Sequence, residues 1–372
     1  MAVYITLTLV TVVLALGVMP AVTGDTGYRP GAGAGIAENP GLTRERAVSY
    51  GCLFMVFLAL FGVSACRIAV GNDYWVYRQY ILYIAQNRKV ATEFGFNWLV
   101  RLLQFITGNA ECYLLVLGVF SFGTVFFFMK ALYEQSRWFA GSLFLLLTGG
   151  YYFLSLNSVR YYFALAIALC AMKQIQKGDY LKFVAMVLFA ACFHKSVLVV
   201  LVLYPLAKLP WKKWVLAGAA VLCASMIFLQ DWYRKLIFLF YPYYKDSMFD
   251  TGEVSYVNIA KSAAVVLFAL LFYKKCVEKD EANRFYLNLQ LGALMLYSLG
   301  SFIPEISRIG YYLNISMVFL IPGILKKIEK RSWRIFFTLA IGAAFLVFFW
   351  VFLKGSYDVS IRILPYRNWI FD

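Results

Sequence analysis

The sequence has little charge and only one histidine. Charged residues make up 15% of the chain and apolar residues 62%, whereas roughly a quarter of the residues of a soluble domain are charged. The composition therefore predicts an integral membrane protein. Because His194 is the single histidine, a metal site built from several histidines is excluded, although a cation held by carboxylates is not.

The sequence also lacks the cysteine spacing of a metal site or a disulfide framework. No two of its 7 cysteines form a CxxC pair, and all of them lie in or beside apolar runs. Neither a zinc site nor a set of disulfides is predicted. The cysteines are Cys52, Cys66, Cys112, Cys170, Cys192, Cys223 and Cys276.

Acidic residues are scarce, with 19 Asp and Glu against 35 Lys and Arg, for a net charge of +16. The cations form no basic tail and no soluble basic domain, so no nucleic acid partner is predicted. We expect the excess positive charge to set the orientation of the chain in a lipid bilayer.

Twelve apolar segments approach the roughly 20 residues needed to cross a bilayer. The first has no Lys or Arg before Arg29, so we interpret it as a membrane helix and not as a signal peptide. Segments 181–194 and 196–207 are short and predict either one long helix or a broken pair meeting near His194. The predicted fold is all-α, a single transmembrane domain over 1–372 with about 11–12 transmembrane helices. The segments are 2–19, 48–66, 112–130, 138–156, 158–174, 181–194, 196–207, 213–230, 258–273, 285–303, 309–325 and 334–353.

The cations are concentrated in the short connections at one end of these segments, and the positive-inside rule assigns that end to the cytoplasm. Arg160, His194, Arg308 and both termini then lie on the external face. The first of these connections, 20–46, is rich in Gly and Pro and predicts a flexible cytoplasmic linker. The connections are 20–46, 130–137, 173–182, 208–213, 274–284 and 326–334.

Two predicted external segments are long. In 67–110, a polar helix from about Asp73 to Gln86 is followed by an amphipathic stretch, 94–106, and we expect both to lie along the membrane surface or to re-enter it. The second segment, 231–257, is rich in tyrosine and predicts an external loop that acts as a mobile flap.

Arg160 is the first candidate functional residue. It lies in the first turn of a predicted helix, where a cation opposes the helix dipole and needs a nearby anion. That anion is either a carboxylate of Asp73, Glu93 or Glu305, or a phosphate of a substrate, for which a guanidinium group is well suited. The sequence leaves both readings open.

Two other arginines could join Arg160 in a cationic cluster of the kind that binds a diphosphate. Arg308 occupies the same position at the start of a later helix and is followed by Tyr311. Arg67 lies at the external end of the second helix, where it could equally extend to lipid headgroups.

His194 and two carboxylates are the candidates for proton transfer. His194 is either a structural residue or a base. A Ser-His-acid hydrolase with Ser196 is possible, but the short spacing argues against it, because residues i and i+2 of a helix point apart. Asp73 and Glu93 could act as acid and base, or could pair with nearby cations such as Arg78.

Several short motifs occur in order along the chain and together resemble the EpsG-like branch of the Wzy exopolysaccharide and O-antigen polymerases. They are Arg67 followed by GNDYWVYRQY, then EFGFNWL, NSVRYYFALAIAL, FAACFHKSVLVVLVLYPL and SRIGYYLNI, over about 67–312. The sequence departs from the family at Tyr161, where glutamine is common, and in its long linker.

The resemblance implies a GT-C-like membrane glycosyltransferase of the bacterial inner membrane, without metal or cofactor. Such a polymerase joins undecaprenyl-diphosphate-linked oligosaccharide units on the external face, with a flippase and a chain-length regulator as partners. The resemblance implies that Arg160 and Arg308, with Arg67 as a third candidate, stabilise the departing diphosphate. It implies that His194 orients or deprotonates the acceptor hydroxyl or contacts the phosphate, and that Asp73 and Glu93 hold sugar hydroxyls or serve as the base. The residues expected to bind substrate or diphosphate are Arg160, Arg308, Arg67, Arg78, Tyr311 and Asn157.

Three alternatives remain open on sequence alone. An O-antigen ligase would use the same donor with a different acceptor. A polysaccharide or lipid transporter would need charged residues through the membrane depth, whereas these cluster toward one face. A membrane O-acyltransferase also carries a lone membrane histidine, but would place His194 on the cytoplasmic side.

Overall fold

A computed structural model describes residues 1–19, 21, 43–240, 242, 245, 247, 250, 252–358 and 361–371. The described chain is a helical membrane domain without strands, apart from an isolated bridge between Arg67 and Asn368. Its helices are α1 Ala2–Ala15, α2 Arg44–Ala65, α3 Tyr74–Ala85, α4 Phe94–Thr107, α5 Tyr113–Gln135, α6 Phe139–Thr148, α7 Tyr151–Leu154, α8 Val159–Lys177, α9 Tyr180–Ala191, α10 Val200–Ala207, α11 Lys213–Phe228, α12 Gln230–Phe240, α13 Tyr256–Leu271, α14 Glu281–Leu299, α15 Ile306–Asn314, α16 Met317–Lys327 and α17 Arg331–Gly355.

Each predicted apolar segment overlaps one of these helices or a closely spaced pair, which confirms the all-α membrane fold. Four spans are long and apolar enough to cross a membrane, namely α2, α5, the continuous pair α15–α16, and α17. A fifth is added if α11 and α12, bent by 83° to each other, form one span. Several other apolar helices, such as α9 with 12 residues or about 18 Å, are shorter than a bilayer core.

The segment around His194 is a broken pair and not one long helix. After α9 the chain turns through His194, continues as a 3₁₀ helix, Lys195–Val199, and then forms α10. At the end of α10, the Lys208 ammonium donates a hydrogen bond to the Ile175 carbonyl at 2.9 Å. Because Ile175 lies at the far end of α8, α9 and α10 form a hairpin whose turn lies level with the start of α8. The predicted segment 181–194 therefore extends three residues past the end of its helix, since α9 ends at Ala191.

Helix α8 occupies the centre of the bundle. Nearly its whole circumference is buried, and α5, α9, α10 and α15 pack around it. Its small residues, such as Ala164 and Ala168, let neighbouring helices approach closely, as is usual where packing and not water exclusion drives association. On α5, a Cβ added to Gly123 would lie 2.5 Å from the ring of Phe163. This packing fixes the height and rotation of α8, and with them the position of Arg160.

Four of the six basic connections predicted to share a face are brought together by ion pairs. Lys130 and Lys173 both pair with Glu134, at 3.2 and 3.1 Å. Arg137 and Lys327 both pair with Asp280, at 2.5 and 2.6 Å. Carboxylates thus tie four of these connections together at the end of the bundle opposite Arg160. The assignment of this end to the cytoplasm stays a prediction.

The structure agrees with the prediction for one of the two long external segments and differs from it for the other. In 67–110, α3 and α4 form where the two helical parts were predicted. In 231–257, the first part is helix α12, so the prediction of a loop there was wrong; most of 241–251 lies outside the described residues. In the linker 20–46, residues 44–46 belong to α2 and nearly all the rest lies outside the described residues.

Candidate functional site

Six side chains meet at the start of α8, on the face opposite the basic connections. We call them the charged cluster: Asp73, Glu93, Arg160, His194, Glu305 and Arg308. They come from the segment between α2 and α4, from α8, from the turn after α9, and from α15 with the residue before it. The helix packing around α8 brings together residues that are up to 235 positions apart in the sequence.

Glu93 holds the centre of the charged cluster. Its Oε2 atom accepts a hydrogen bond from Arg160 Nη1. Its Oε1 atom lies 3.5 Å from His194 Nδ1, and accepts a hydrogen bond from the backbone N–H of Lys195 at 3.3 Å. The Glu93 and Arg160 side chains are only 13% and 16% exposed, so the pair is partly desolvated and stronger than a surface ion pair. One carboxylate therefore pairs with the guanidinium group of Arg160 and anchors, through the Lys195 N–H, the turn that carries His194.

Gly95 permits this arrangement. Its N–H donates to the Cys192 carbonyl at 2.7 Å, and a Cβ at Gly95 would lie 2.7 Å from the same oxygen. Only glycine can bring the first turn of α4 this close to the turn that carries His194. The close contact of Gly95 with the Cys192 carbonyl thus explains why a glycine follows Glu93 by two residues in the EFG motif.

A second glycine places Asp73. Gly71 has a φ of +92°, and a Cβ there would lie 2.7 Å from the Leu156 carbonyl. Next to this contact, the Asp73 N–H donates to Asn157 Oδ1 at 2.9 Å, and the Ser158 hydroxyl donates to Asp73 Oδ2 at 3.2 Å. The GND motif is therefore hydrogen-bonded to the residues just before α8, and the Asn157 side chain accepts its hydrogen bond from the Asp73 backbone.

Arg308 enters the charged cluster from α15. Its Nε atom pairs with Glu305 Oε2 at 2.8 Å, and its carbonyl accepts a hydrogen bond from the Tyr161 hydroxyl at 2.7 Å. The Tyr161 ring stands edge-on to the His194 ring, with centroids 5.4 Å apart. Tyr161, noted above as a departure from the family pattern, thus joins α8, α15 and the His194 turn.

The protonation states follow from burial and from the two guanidinium groups. Burial, with the charges of Arg160 and Arg308, lowers the pKa of His194, so its imidazole is neutral near pH 7. Burial raises the pKa of Asp73, although the hydrogen bond from Ser158 and the charges of Arg308 and Arg160 oppose the shift. Asp73 is thereby a stronger base than a free aspartate, and His194 a weaker base than a free histidine.

Two of the expected arginines lie outside the charged cluster. Arg67 is 2% exposed and donates hydrogen bonds to the Ser64 carbonyl and, at 2.9 Å, to the Ser121 hydroxyl. Arg78 lies on the outer surface of α3, where it pairs with Glu111 at 3.4 Å and stacks on the rings of Trp75 and Tyr113. Arg67 is thus buried among serine side chains, and the partner of Arg78 is a carboxylate outside the charged cluster.

Tyr311 lies one turn below Arg308 and beside a cation that was not expected from the sequence, Lys261 of α13. The Lys261 ammonium lies 5.9 Å from the centroid of the Tyr311 ring. The signal in the sequence was a single lysine inside an apolar helix, which is costly and therefore usually functional. Among the described residues, no group of three or more His, Cys, Asp or Glu side chains is arranged to hold a metal ion.

Comparison with known proteins agrees with the motifs. A family model described as the EpsG family matches residues 50–368 of the 372. No curated protein and no solved structure matches the chain. The family match confirms the resemblance drawn from 67–312 and extends it over α2 at one end and the segment after α17 at the other. The chain therefore belongs to the EpsG family, whose members are membrane proteins of polysaccharide biosynthesis.

Proposed function

We propose that the protein is a polysaccharide polymerase that joins undecaprenyl-diphosphate-linked oligosaccharide units on the external face of the bacterial inner membrane. The observation that carries the proposal is the charged cluster itself, in which two arginines, a neutral histidine and a basic aspartate meet where membrane helices end. A lipid-linked diphosphate would present its phosphates at that level. In the cell, a flippase supplying the units and a chain-length regulator are the partners that the resemblance implies.

The cluster can supply each part of such a transfer. Asp73 takes the proton of the acceptor hydroxyl, and the hydroxyl oxygen attacks the anomeric carbon of the donor. The bond from that carbon to the diphosphate breaks, and its electron pair leaves with the diphosphate, which Arg160 and Arg308 stabilise. Neutral His194 orients the acceptor by a hydrogen bond, and Glu93 holds the turn that carries His194 through the Lys195 N–H. Because diphosphate is already a good leaving group, positioning the two lipids and stabilising charge are the main tasks.

The pH dependence of the rate separates Asp73 from His194 as the base. We expect no step from His194 between about pH 6 and pH 8, because the pKa of His194 lies below that range. The rate should fall toward acid pH as Asp73 becomes protonated, at a pH above the ordinary aspartate pKa of about 3.9. His194→Gln should lower the rate without changing the shape of the profile. If a step near pH 6.5 is present and disappears in His194→Gln, His194 is the base.

The proposed reaction is tested by giving the purified protein, in lipid nanodiscs, only synthetic undecaprenyl-diphosphate-linked repeat units. A polymerase uses these units as both donor and acceptor, so the expected product is a ladder of glycans on a gel, together with free undecaprenyl diphosphate. A ligase would form no ladder, and would give a single-transfer product only when a different acceptor was added. The absence of any product under both conditions would contradict the proposal.

A further inference from the structure

Lys261 lies inside helix α13 in a cage of aromatic rings. Its ammonium is 5.0 Å from the centroid of Phe348, 5.5 Å from that of Tyr151 and 5.9 Å from that of Tyr311. The three rings come from α17, α7 and α15, so three separate parts of the chain converge on one lysine. Three ring faces attract a cation without cancelling its charge.

No carboxylate of the described residues lies within 4.0 Å of the Lys261 ammonium, in contrast to the arginines of the charged cluster. An uncompensated cation in a membrane helix is expensive and is usually retained for a ligand. The aromatic cage lowers the free-energy cost of burying the Lys261 ammonium, but leaves the ammonium able to bind an anion.

Lys261 is a neighbour of the charged cluster. Tyr311, which it contacts, lies three residues after Arg308 on α15, and residues i and i+3 of a helix share a face. Lys261 is also five residues past the start of α13, or about 7 Å along the helix axis. It is thus placed about one turn deeper in the membrane domain than Arg308, on the same side of α15.

The charge balance of the cluster calls for such a residue. Arg160 is already paired with Glu93, Arg308 is paired with Glu305, and Asp73 lies close to both arginines. The cluster therefore carries three carboxylates for two guanidinium groups. A diphosphate ester brings at least two further negative charges, so an additional cation without a carboxylate partner would be needed to hold it in a desolvated position.

We propose that Lys261 is a third cationic ligand of a polyprenyl diphosphate, in addition to Arg160 and Arg308. Lys261 would contact the diphosphate about one helical turn deeper in the membrane domain than Arg308 does. This inference rests on the proposed function and deepens it: the diphosphate would lie along α15, between Arg308 and Lys261, with Tyr311 beside it. On binding, the ammonium exchanges contact with the aromatic rings for a charge-assisted hydrogen bond to a phosphate oxygen.

The test is a binding measurement that requires no turnover. Wild-type protein and Lys261→Met, both in nanodiscs of phosphatidylcholine, are titrated with farnesyl diphosphate and, separately, with farnesol. We expect Lys261→Met to bind farnesyl diphosphate about 10- to 100-fold more weakly, as for the loss of one charge-assisted hydrogen bond. Binding of uncharged farnesol should be unchanged, because the apolar surroundings remain.

Two variants complete the design. Lys354→Met is the matched control, because Lys354 also lies over a ring, Trp350 at 5.4 Å, but is exposed at the end of α17; it should bind farnesyl diphosphate like the wild type. Lys261→Arg keeps the charge and should retain most of the affinity. Melting temperatures are measured for all variants to detect misfolding. A misfolded variant would also lose its binding of farnesol, whereas the loss of the Lys261 charge alone would not affect it.

The outcomes separate this inference from the proposed function. If the wild type binds farnesyl diphosphate and Lys261→Met binds it equally well, the role of Lys261 is refuted while the proposed function stands. If the wild type does not bind farnesyl diphosphate, the proposed function itself is in conflict with the result. If phosphatidylglycerol in the nanodisc displaces farnesyl diphosphate from the wild type but not from Lys261→Met, Lys261 binds ordinary headgroups and the inference is overturned.

Discussion

Replacing Arg160 by alanine is expected to stop chain growth while leaving the protein folded. Arg160 is the guanidinium group at the centre of the charged cluster, and its loss removes a preorganised donor from the developing negative charge of the leaving diphosphate. The loss of one such donor typically lowers a rate about 100- to 1000-fold. In the in vitro assay the glycan ladder should disappear, and in cells single repeat units should accumulate on the lipid carrier.

The Arg78–Glu111 pair supplies a matched control for this experiment. It has the same chemistry as the Arg160–Glu93 pair and the same aromatic stacking, since Arg160 lies over Tyr77 and Phe96. Arg78 is, however, 38% exposed, against 16% for Arg160. Arg78→Ala should therefore give normal polymer. A normal ladder from well-folded Arg160→Ala protein would refute the assignment of Arg160.

Glu93→Gln is expected to have the second largest effect. The amide keeps the size of the side chain but loses the charge that holds the guanidinium group of Arg160, and it presents either an oxygen or an NH₂ group to His194 Nδ1. The guanidinium group then loses its fixed orientation, and the turn that carries His194 loses the charge of its anchor at the Lys195 N–H. Because misplacing reacting groups by about 1 Å can cost 100-fold in rate, we expect at least that loss in the rate of polymerisation, with binding of farnesyl diphosphate retained.

Two further variants show whether charge or position is responsible. Glu111→Gln, on the exposed pair, should leave the rate unchanged. Gly95→Ala leaves the Glu93 side chain intact but forces α4 away from the Cys192 carbonyl, where the added Cβ would lie 2.7 Å from the oxygen. It should reproduce much of the Glu93→Gln loss. If Gly95→Ala were fully active, the contact between α4 and the His194 turn would have no role in placing Glu93.

Much of the fold could be predicted because its causes are local. Long apolar runs need a bilayer and must satisfy their own backbone hydrogen bonds, so they become helices wherever they occur. The amphipathic stretch at 94–106 predicted α4 for the same reason. The errors fall where local signals are weak, as in α12, whose polar and aromatic residues were interpreted as a loop, and at His194, where the helix ends a few residues earlier than its apolar run.

The charged cluster was predictable in its members but not in its pairing. Three carboxylates, Asp73, Glu93 and Glu305, were equal candidates as partners of Arg160, and nothing local distinguishes them. The packing of α4 against the His194 turn selects Glu93. Arg67 shows the converse case: its position at a helix end resembles that of Arg308, yet Ser64 and Ser121 enclose it among buried side chains.

By itself, the sequence determined that this chain is a helical membrane protein, that its basic connections share one face, and that Arg160, Arg308 and His194 lie toward the other. These properties depend on composition and on charge near the helix ends. The tertiary structure alone decided that Glu93 joins Arg160 to His194, that Arg67 and Arg78 stand apart, and that Lys261 lies beside Tyr311. Such contacts depend on how helices rotate and approach one another, which is set by small residues such as Gly71, Gly95 and Gly123 acting across long sequence separations.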